Sequence, residues 1–327
     1  MDTLSKISIF NKTENFCAQE ELILPGQTLI VGLSGGPDSV FLLTFLHYLQ
    51  KKYNLRLVAA HLDHGWRSNS ADDALFCKQL CEKLSITYEQ QILVNSQTKD
   101  VSTSGSLEQD GRKARRIFFE ACAQRHQADR IALAHHLDDK AETFFIRLIR
   151  GAGLAGLASI RARHGLYIRP LLSLTKKEIL DYLQAEKISF CADSTNLDVR
   201  FLRNNIRHTL MQVYYSLDRR AGKHIIRAID QLQQADAFID HYAQTAFDAM
   251  LDNGLLDIQK FLACQKIIQH RVLVHWLIKH QVKFVPTEPF FNEIVRFFKN
   301  TGSPAHRIAA DWTIKKTKNH VQIIHHA

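Results

Sequence analysis

The residues best suited to chemistry lie in short polar runs that follow apolar stretches. The first is Ser34-Gly35-Gly36-Pro37-Asp38-Ser39, set between the apolar run 29–33 and a helical apolar pattern that starts at Val40. Two glycines let the backbone approach an anion closely and reach positive φ, and Pro37 restrains the chain where a helix begins. The first N–H groups of that helix have no intrahelical partner, so with the helix dipole they form an anion site. Ser34 and Ser39 add hydroxyl donors. The run is no Walker A loop, because it lacks the G-K-[ST] ending. Asp38 in a phosphate site is costly without a compensating cation, and a magnesium ion carried by ATP is the natural one. The plainer alternative is a Gly-Gly turn with Asp38 or Ser39 as helix cap. The strand–turn–helix setting favours phosphate.

Three further runs have the same character. His61-Leu-Asp63-His64-Gly65-Trp66-Arg67 offers a cation for phosphate at Arg67, and hydrogen bonds to a nucleotide from His61, Asp63 and His64. In His135-His136-Leu-Asp138-Asp139-Lys-Ala-Glu142, Asp139 and Glu142 are three apart and share a helix face. That pair suits a helix N-terminus, and it equally suits binding an amine and helping it lose a proton. His135 and His136 are adjacent on an extended segment, so they point oppositely and do not share a metal. Asp193-Ser-Thr-Asn196 is followed by Arg200, Arg203 and Arg207-His208. Arg203 and Arg207, like charges four apart, call for an anion such as ATP phosphate or nucleic acid. A helix also carries Glu108, Arg112, Arg115 and Arg116. There a surface Glu108–Arg112 pair and an Arg112 turned to the site or to nucleic acid weigh equally.

These runs need a frame. Strands are expected at 29–33, 55–62, 87–94 and 130–134, alternating with helices at 39–53, 71–84, 107–127, 138–150 and 175–186. Such alternation predicts an α/β fold with a doubly wound parallel sheet. Ligands then gather beyond the carboxyl ends of the strands. Ser34, Asp63 and His135 begin the loops after the first, second and fourth strands, so one sheet edge pools them. Past about residue 205 the pattern turns mainly helical, with 207–215 and 223–251 prominent, and Trp312–Ile314 with Val321–Ile324 suggests a hairpin. The reading is one domain over 1–210 and a smaller, basic, mainly helical domain over 211–327.

Of the 327 residues, 46% are hydrophobic and 23% charged, which excludes wholesale disorder. The start is polar, and no run is long enough to span a bilayer, so a cytoplasmic protein with no membrane partner is expected. Six cysteines form no C-x-x-C pair, and Cys77 and Cys81 fit helix packing. The net charge of +9 is uneven: residues 200–327 hold 18 Lys+Arg and 10 Asp+Glu, residues 1–199 hold 24 and 23. The surplus suggests a polyanion partner, nucleic acid first, against a merely solvated basic surface.

Ser34–Ser39 resembles the PP-loop of the ATP pyrophosphatase superfamily, whose members cleave ATP to AMP and pyrophosphate and adenylate a carbonyl-type oxygen. With His61–Arg67, Glu108–Arg116, His135–Gly153, Ile168–Leu172 and Asp193–His208 in this order, the chain resembles the tRNA(Ile)-lysidine synthetase branch, in its shorter form. The resemblance implies an adenine-nucleotide alpha-hydrolase-like fold. It also implies ATP with Mg2+, free L-lysine and tRNA(Ile) with a CAU anticodon as partners, and it leaves a homodimer open. The implied reaction adenylates the C2 oxygen of the wobble cytidine, after which the lysine ε-amine attacks C2 and displaces AMP. It implies Asp38 for the metal–ATP unit and Ser34–Ser39 with His61, Asp63, His64 and Arg67 for the nucleotide. Arg112, His135, Asp139 and Glu142 fall to the substrates, and Arg203 or Arg207 to developing phosphate charge. The rivals are a tRNA thiolase of the same superfamily, which would call for reactive cysteines, a small-molecule synthetase, and a non-catalytic ATP-responsive RNA-binding protein.

Overall fold

The structure, a computed structural model, describes residues 3–63, 70–93, 104–158, 160–191, 202–218, 220–300 and 302–326, with the side chains of 3–7 and 104–109 left out of the description. His64, Arg67, Asp193–Asn196, Arg200 and the Glu108 side chain therefore lie outside the described residues.

The chain forms two compact units, Met1–Asp230 and Gln231–Ala327, so the division falls later than residue 210. The first unit opens with α1 (Thr3–Gln19), β1 (Thr28–Gly32), α2 (Pro37–Tyr53), β2 (Arg56–Asp63), α3 (Ser70–Lys83), β3 (Thr87–Ile92), α4 (Ser104–Arg125) and β4 (Arg130–Ala132). It continues with α5 (Leu137–Ile149), α6 (Leu154–Leu157), β5 (Arg163–His164), β6 (Tyr167–Ile168), a 3-10 turn at Pro170–Ser173 and α7 (Lys176–Ala185). After the undescribed stretch come α8 (Leu202–Asn205), a π-helical turn at Ile206–Leu210, α9 (Met211–Leu217) and the long α10 (Ala221–Met250), within which the division between units falls.

The six-stranded sheet has the order β3-β2-β1-β4-β6-β5, parallel throughout except for the β5–β6 hairpin at its edge. Side chains alternate across it, as the period of two demands. Leu29, Val31, Leu57 and Ala59 join the core with α1, α2, α3 and α7, while Ile30, Val58, Ala60 and Ile131 join Phe118, Phe119 and Cys122 of α4. Helices thus cover both faces, as expected. The chain runs β1 to β2 to β3 in one direction and then returns to place β4 on the other side of β1. In an open parallel sheet that reversal opens a crevice at the strand ends. The loop after β1 begins at Ser34, and His135 precedes α5, so both flank this point.

The start of the chain, read only as polar, is α1. Ile9, Phe10, Thr13 and Cys17 are its buried stripe, and Phe10 packs on Phe41, Phe45 and Tyr182 with ring centroids 5.1–5.9 Å apart. Cys77 and Cys81 are buried helix residues, as their spacing predicts, and Cys122 is buried on α4 as well.

The second unit has α11 (Ile258–Ala263), α12 (Lys266–Lys279) and α13 (Glu288–Lys299) packed with a five-stranded antiparallel sheet. Its strands are β7 (Leu251–Asp252), β8 (Leu255–Asp257), β9 (Ala305–Ala309), β10 (Trp312–Lys316) and β11 (His320–His325). The expected hairpin is β10–β11, paired Trp312↔His325 to Lys316↔Val321. The other strands exceed the mainly helical expectation. At Asn253-Gly254 both φ angles are positive (49° and 83°), in the tight hairpin turn that joins β7 to β8.

Candidate active site at the sheet edge

The loop after β1 has the geometry of an anion cradle. Gly35 has φ +83°, in the left-handed region, whereas Gly36 is extended at φ −68°, ψ 162°. Only the first glycine needs the positive φ allowed to both from sequence. Pro37 occupies the first turn of α2 with Asp38 beside it. Ser39 Oγ accepts from the Ser34 amide (3.1 Å), donates to the Gly36 carbonyl (2.9 Å) and lies 3.2 Å from Ser34 Oγ. These bonds draw the turn into a ring. A second segment closes it from outside: the Cys191 amide donates to the Gly35 carbonyl at 2.9 Å. A Cβ on Gly35 would stand 3.1 Å from Cys191 Sγ and 3.3 Å from Cys77 Sγ. Gly35→Ala combines that crowding with a left-handed backbone, so it should cost about 1–3 kcal/mol and weaken nucleotide binding. Thermal melts and ATP titration of the variant check this.

Asp38 already has a cation. Lys176 Nζ donates to both of its carboxylate oxygens, at 2.6 and 2.7 Å. Lys176 is the first residue of α7, whose start is fixed by a capping box: Glu178 accepts from the Thr175 amide at 2.7 Å and donates its own amide to Thr175 Oγ1 at 3.2 Å. The Lys176 amide donates to Asp138 Oδ2 at 2.7 Å. Neither Lys176 nor a role for Asp138 was read from the sequence. The available signal was the Lys176-Lys177 pair at a helix start, where the dipole disfavours cations.

At the end of β4, α5 presents the second half. The His136 amide donates to Asp139 Oδ2 at 3.0 Å, capping the helix. The buried His136 ring sits among three carboxylates: Nδ1 is 3.4 Å from Asp138, and Nε2 is 3.4 Å from Asp139 and 3.9 Å from Asp38. Burial lowers its pKa, but the Asp138 contact and the charges of Asp139 and Asp38 outweigh this and raise it above 6.5. Its neighbour behaves oppositely. Burial pushes His135 down to about 4, and its enclosed Nδ1 meets no hydrogen-bond partner among the described residues. Burial thus holds His135 neutral, whereas the carboxylates around His136 favour its charged form. The stability due to His136 is fully present below its unfolded pKa of 6.5 and is lost as pH rises through the higher folded value. NMR titration of the two imidazoles should find one near 4 and the other above 6.5.

Glu142 is 2% exposed and accepts a bidentate pair from Arg207, Nε at 2.6 Å and Nη2 at 3.0 Å. Arg203 Nε is 3.2 Å from the same carboxylate, and its Nη2 donates to Thr143 Oγ1 at 2.9 Å. The π-helical turn that begins after Asn205 carries Arg207, and such widened turns recur at functional sites. The anion these arginines required is therefore, in part, the protein's own. Asp139 Oδ1 is more open, 4.0 Å from Arg203 Nη2 and 3.9 Å from Arg207 Nη2. Burial raises the Asp139 pKa, but the charges of His136 and Arg203 and the His136 amide together hold it below the usual carboxylate value. Burial keeps Glu142 above that value despite Arg207.

The sequence-derived residues do not all meet here. His61 is buried, and because a carbonyl only accepts, its Nδ1 must donate to the Leu33 carbonyl at 2.9 Å. It braces the end of β1 against β2. Asp63 is buried at the end of β2, and Arg112 is exposed on α4. No group of three or more His, Cys, Asp or Glu among the described residues could hold a metal ion. Asp38 offers one carboxylate, which fits a cation that brings phosphate and water as its other ligands.

A PP-loop domain family model matches residues 7–214, which include every element just described. The chain belongs to the PP-loop family. Within it, the chain is similar to proteins named tRNA(Ile)-lysidine synthase. That of Geobacter sulfurreducens is 37% identical over 75% of this chain and 53% of its own length, and that of Clostridioides difficile 34% identical over 83% and 60%. The chain thus spans about half the length of the curated relatives it matches. Its fold is also that of the U34-tRNA thiolase NcsA from Methanococcus maripaludis, with a TM-score of 0.58 and 19% identity over 72% of this chain and 81% of that one. ATP use follows from the PP-loop, and no helix among the described residues is long and apolar enough to cross a membrane.

Proposed function

We propose that this PP-loop protein makes lysidine: it adenylates the C2 oxygen of the wobble cytidine of tRNA(Ile) bearing a CAU anticodon and joins free L-lysine to C2. The observation that carries the reading is His136. It stands within 4 Å of Asp38 at the phosphate loop and of Asp139 at the arginine–carboxylate cluster, so one charge network joins an ATP-cleaving half to an amine-handling half. The names of the relatives support the same chemistry.

In this reading the amides of Gly35, Gly36, Asp38 and Ser39 and the hydroxyls of Ser34 and Ser39 hold the phosphates that leave as pyrophosphate, and Asp38 would take one position of a magnesium ion bound to ATP. That ion, when bound, neutralises charge on the leaving pyrophosphate. Asp139 orients the lysine ε-amine through its open Oδ1 and accepts its proton, which the amine must shed because its reference pKa is about 10.4. Glu142 holds Arg203 and Arg207 where negative charge develops on the phosphate. Arg112 and the neutral His135 lie toward the nucleotide substrate.

The basic surplus supports a polyanion partner and relocates its grip. Residues 200–230 hold 7 Lys+Arg against 2 Asp+Glu, whereas residues 231–327 hold 11 against 8. Much of the charge assigned to the C-terminal region thus falls within the stretch that belongs to the first unit, where Arg220, Lys223 and Arg227 are exposed. We assign tRNA backbone contacts to this segment first and to the second unit second.

The thiolase alternative fits less well. Burial raises the pKa of all six thiols, Cys81 and Cys191 to about 12, which leaves no activated thiolate. The deciding assay supplies labelled lysine, ATP and tRNA, and measures tRNA-bound lysine with AMP. Equimolar lysine transfer and AMP release is expected. AMP release independent of lysine, or sulfur incorporation, overturns the reading.

A further inference from the structure

We infer that Lys176 is a positioning residue that acts as a resident counter-ion for the nucleotide site, holding Asp38 and excluding free divalent cations until ATP brings its own. The inference rests on the proposed role of Asp38 toward ATP-bound magnesium, but it concerns the site before ATP arrives.

Three observations carry it. Lys176 Nζ takes both oxygens of Asp38, at 2.6 and 2.7 Å, so neither is free for a metal. No cluster of three acidic or imidazole ligands exists among the described residues, so no ready-made metal cage there competes with Asp38. Finally, the Lys176 backbone is fixed independently of its ammonium. Its amide is fixed to Asp138 Oδ2 at 2.7 Å and its position by the Thr175–Glu178 box, while the ammonium rides on a flexible four-carbon stem. Both side chains stay partly open to solvent, Lys176 at 35% and Asp38 at 28%, so an arriving ligand reaches the pair.

These features describe an exchangeable pair. A compact ammonium with rotatable donors gives up a carboxylate and turns to a phosphate oxygen without moving its backbone. When ATP delivers magnesium, Asp38 changes partner from ammonium to metal. Lys176 then stands beside the glycine turn with its charge directed to the phosphates. The site so keeps a cation opposite Asp38 in both states. An aspartate in a phosphate cradle, repulsive by itself, becomes a selector for nucleotide that already carries its metal.

The test uses Mn2+ as probe and the nucleotide-free protein. Binding of Mn2+, followed by electron paramagnetic resonance, should be weak in the unaltered protein and about tenfold tighter in Lys176→Met. Lys176→Arg should stay weak, because its guanidinium keeps the carboxylate occupied. The double variant Lys176→Met with Asp38→Asn should lose the gain. In the presence of ATP, Lys176→Met should raise the KM for ATP more than it lowers kcat. Unchanged Mn2+ affinity in a folded Lys176→Met protein, or in Lys176→Gln should the first not fold, overturns the inference. Because metal binding is read without tRNA or lysine, it can stand while the lysidine reading fails, and the converse also holds.

Discussion

Asp139→Asn should lower lysine transfer by about three orders of magnitude, the scale for loss of a positioned proton acceptor, while the fold persists. The amide side chain still offers an oxygen to the His136 amide, now at 3.0 Å from Asp139 Oδ2, so the start of α5 keeps its cap. What disappears is a charge that His136 and Arg203 hold ionised against the cost of burial. Asn can neither accept the proton of the attacking ammonium nor balance Arg203 and Arg207 at about 4 Å. A sign follows for stability as well. The folded pKa of Asp139 lies below the unfolded 3.8, so its contribution is present above that value and is lost as pH falls through the folded one. Asp139→Asn should therefore flatten the acid limb of the stability curve. Single-turnover transfer from adenylated tRNA, with thermal melts across pH, measures both effects. Full transfer activity in the variant would remove Asp139 from the mechanism.

Glu142→Ala should be the most destabilising single change in the site, at about 3 kcal/mol, the low end of the range for stranding a buried charge. The low end applies because the charges left behind, Arg203 and Arg207, are 23% and 33% exposed and keep some water. Two guanidiniums would then share Asp139 at about 4 Å, with Asp38 a further counter-charge to Arg207. The intact cluster is not a source of net stability by the same reasoning. Burial raises the pKa of Glu142 even with Arg207 donating twice, so desolvation outweighs the attraction. A buried ionic cluster kept at such cost suits a function that needs fixed charges. Urea unfolding of Glu142→Ala, beside the Glu142→Ala/Arg207→Met pair, separates the two effects, since the double variant should recover part of the loss.

Much of this site was legible because two periodicities and a set of turn residues mark a parallel sheet clearly. The alternation of strand and helix placed Ser34 and His135 on one edge, and β1, β2 and β4 put them there. Asp139 and Glu142 were found through their three-residue spacing, and Arg203 and Arg207 through unfavourable repulsion. What was missed depended on long-range pairing. Nothing local to Lys176 names Asp38 as its partner, and nothing local to Asp138 names the Lys176 amide. His61 read as a ligand donor because an imidazole after a strand offers the same pattern whether it meets a nucleotide or the Leu33 carbonyl. The short β5–β6 strands carry too few residues to show a period. The turn at Asn253-Gly254 was overridden by the helical pattern that runs into it.

The hydrogen bond from Cys191 to Gly35 bears on the order in which the protein assembles. The pairing of Lys176 with Asp38 spans 138 residues, and that of Arg207 with Glu142 spans 65. Contacts of such separation repay their loop-closure cost only after the intervening strands have docked. The phosphate loop leaves the ribosome before Lys176 and Cys191, so its bracing and its counter-ion come from residues made far later. A chain halted before residue 176 would hold the glycine turn without the partners that shape and neutralise it, so the capacity to handle ATP is acquired late in synthesis.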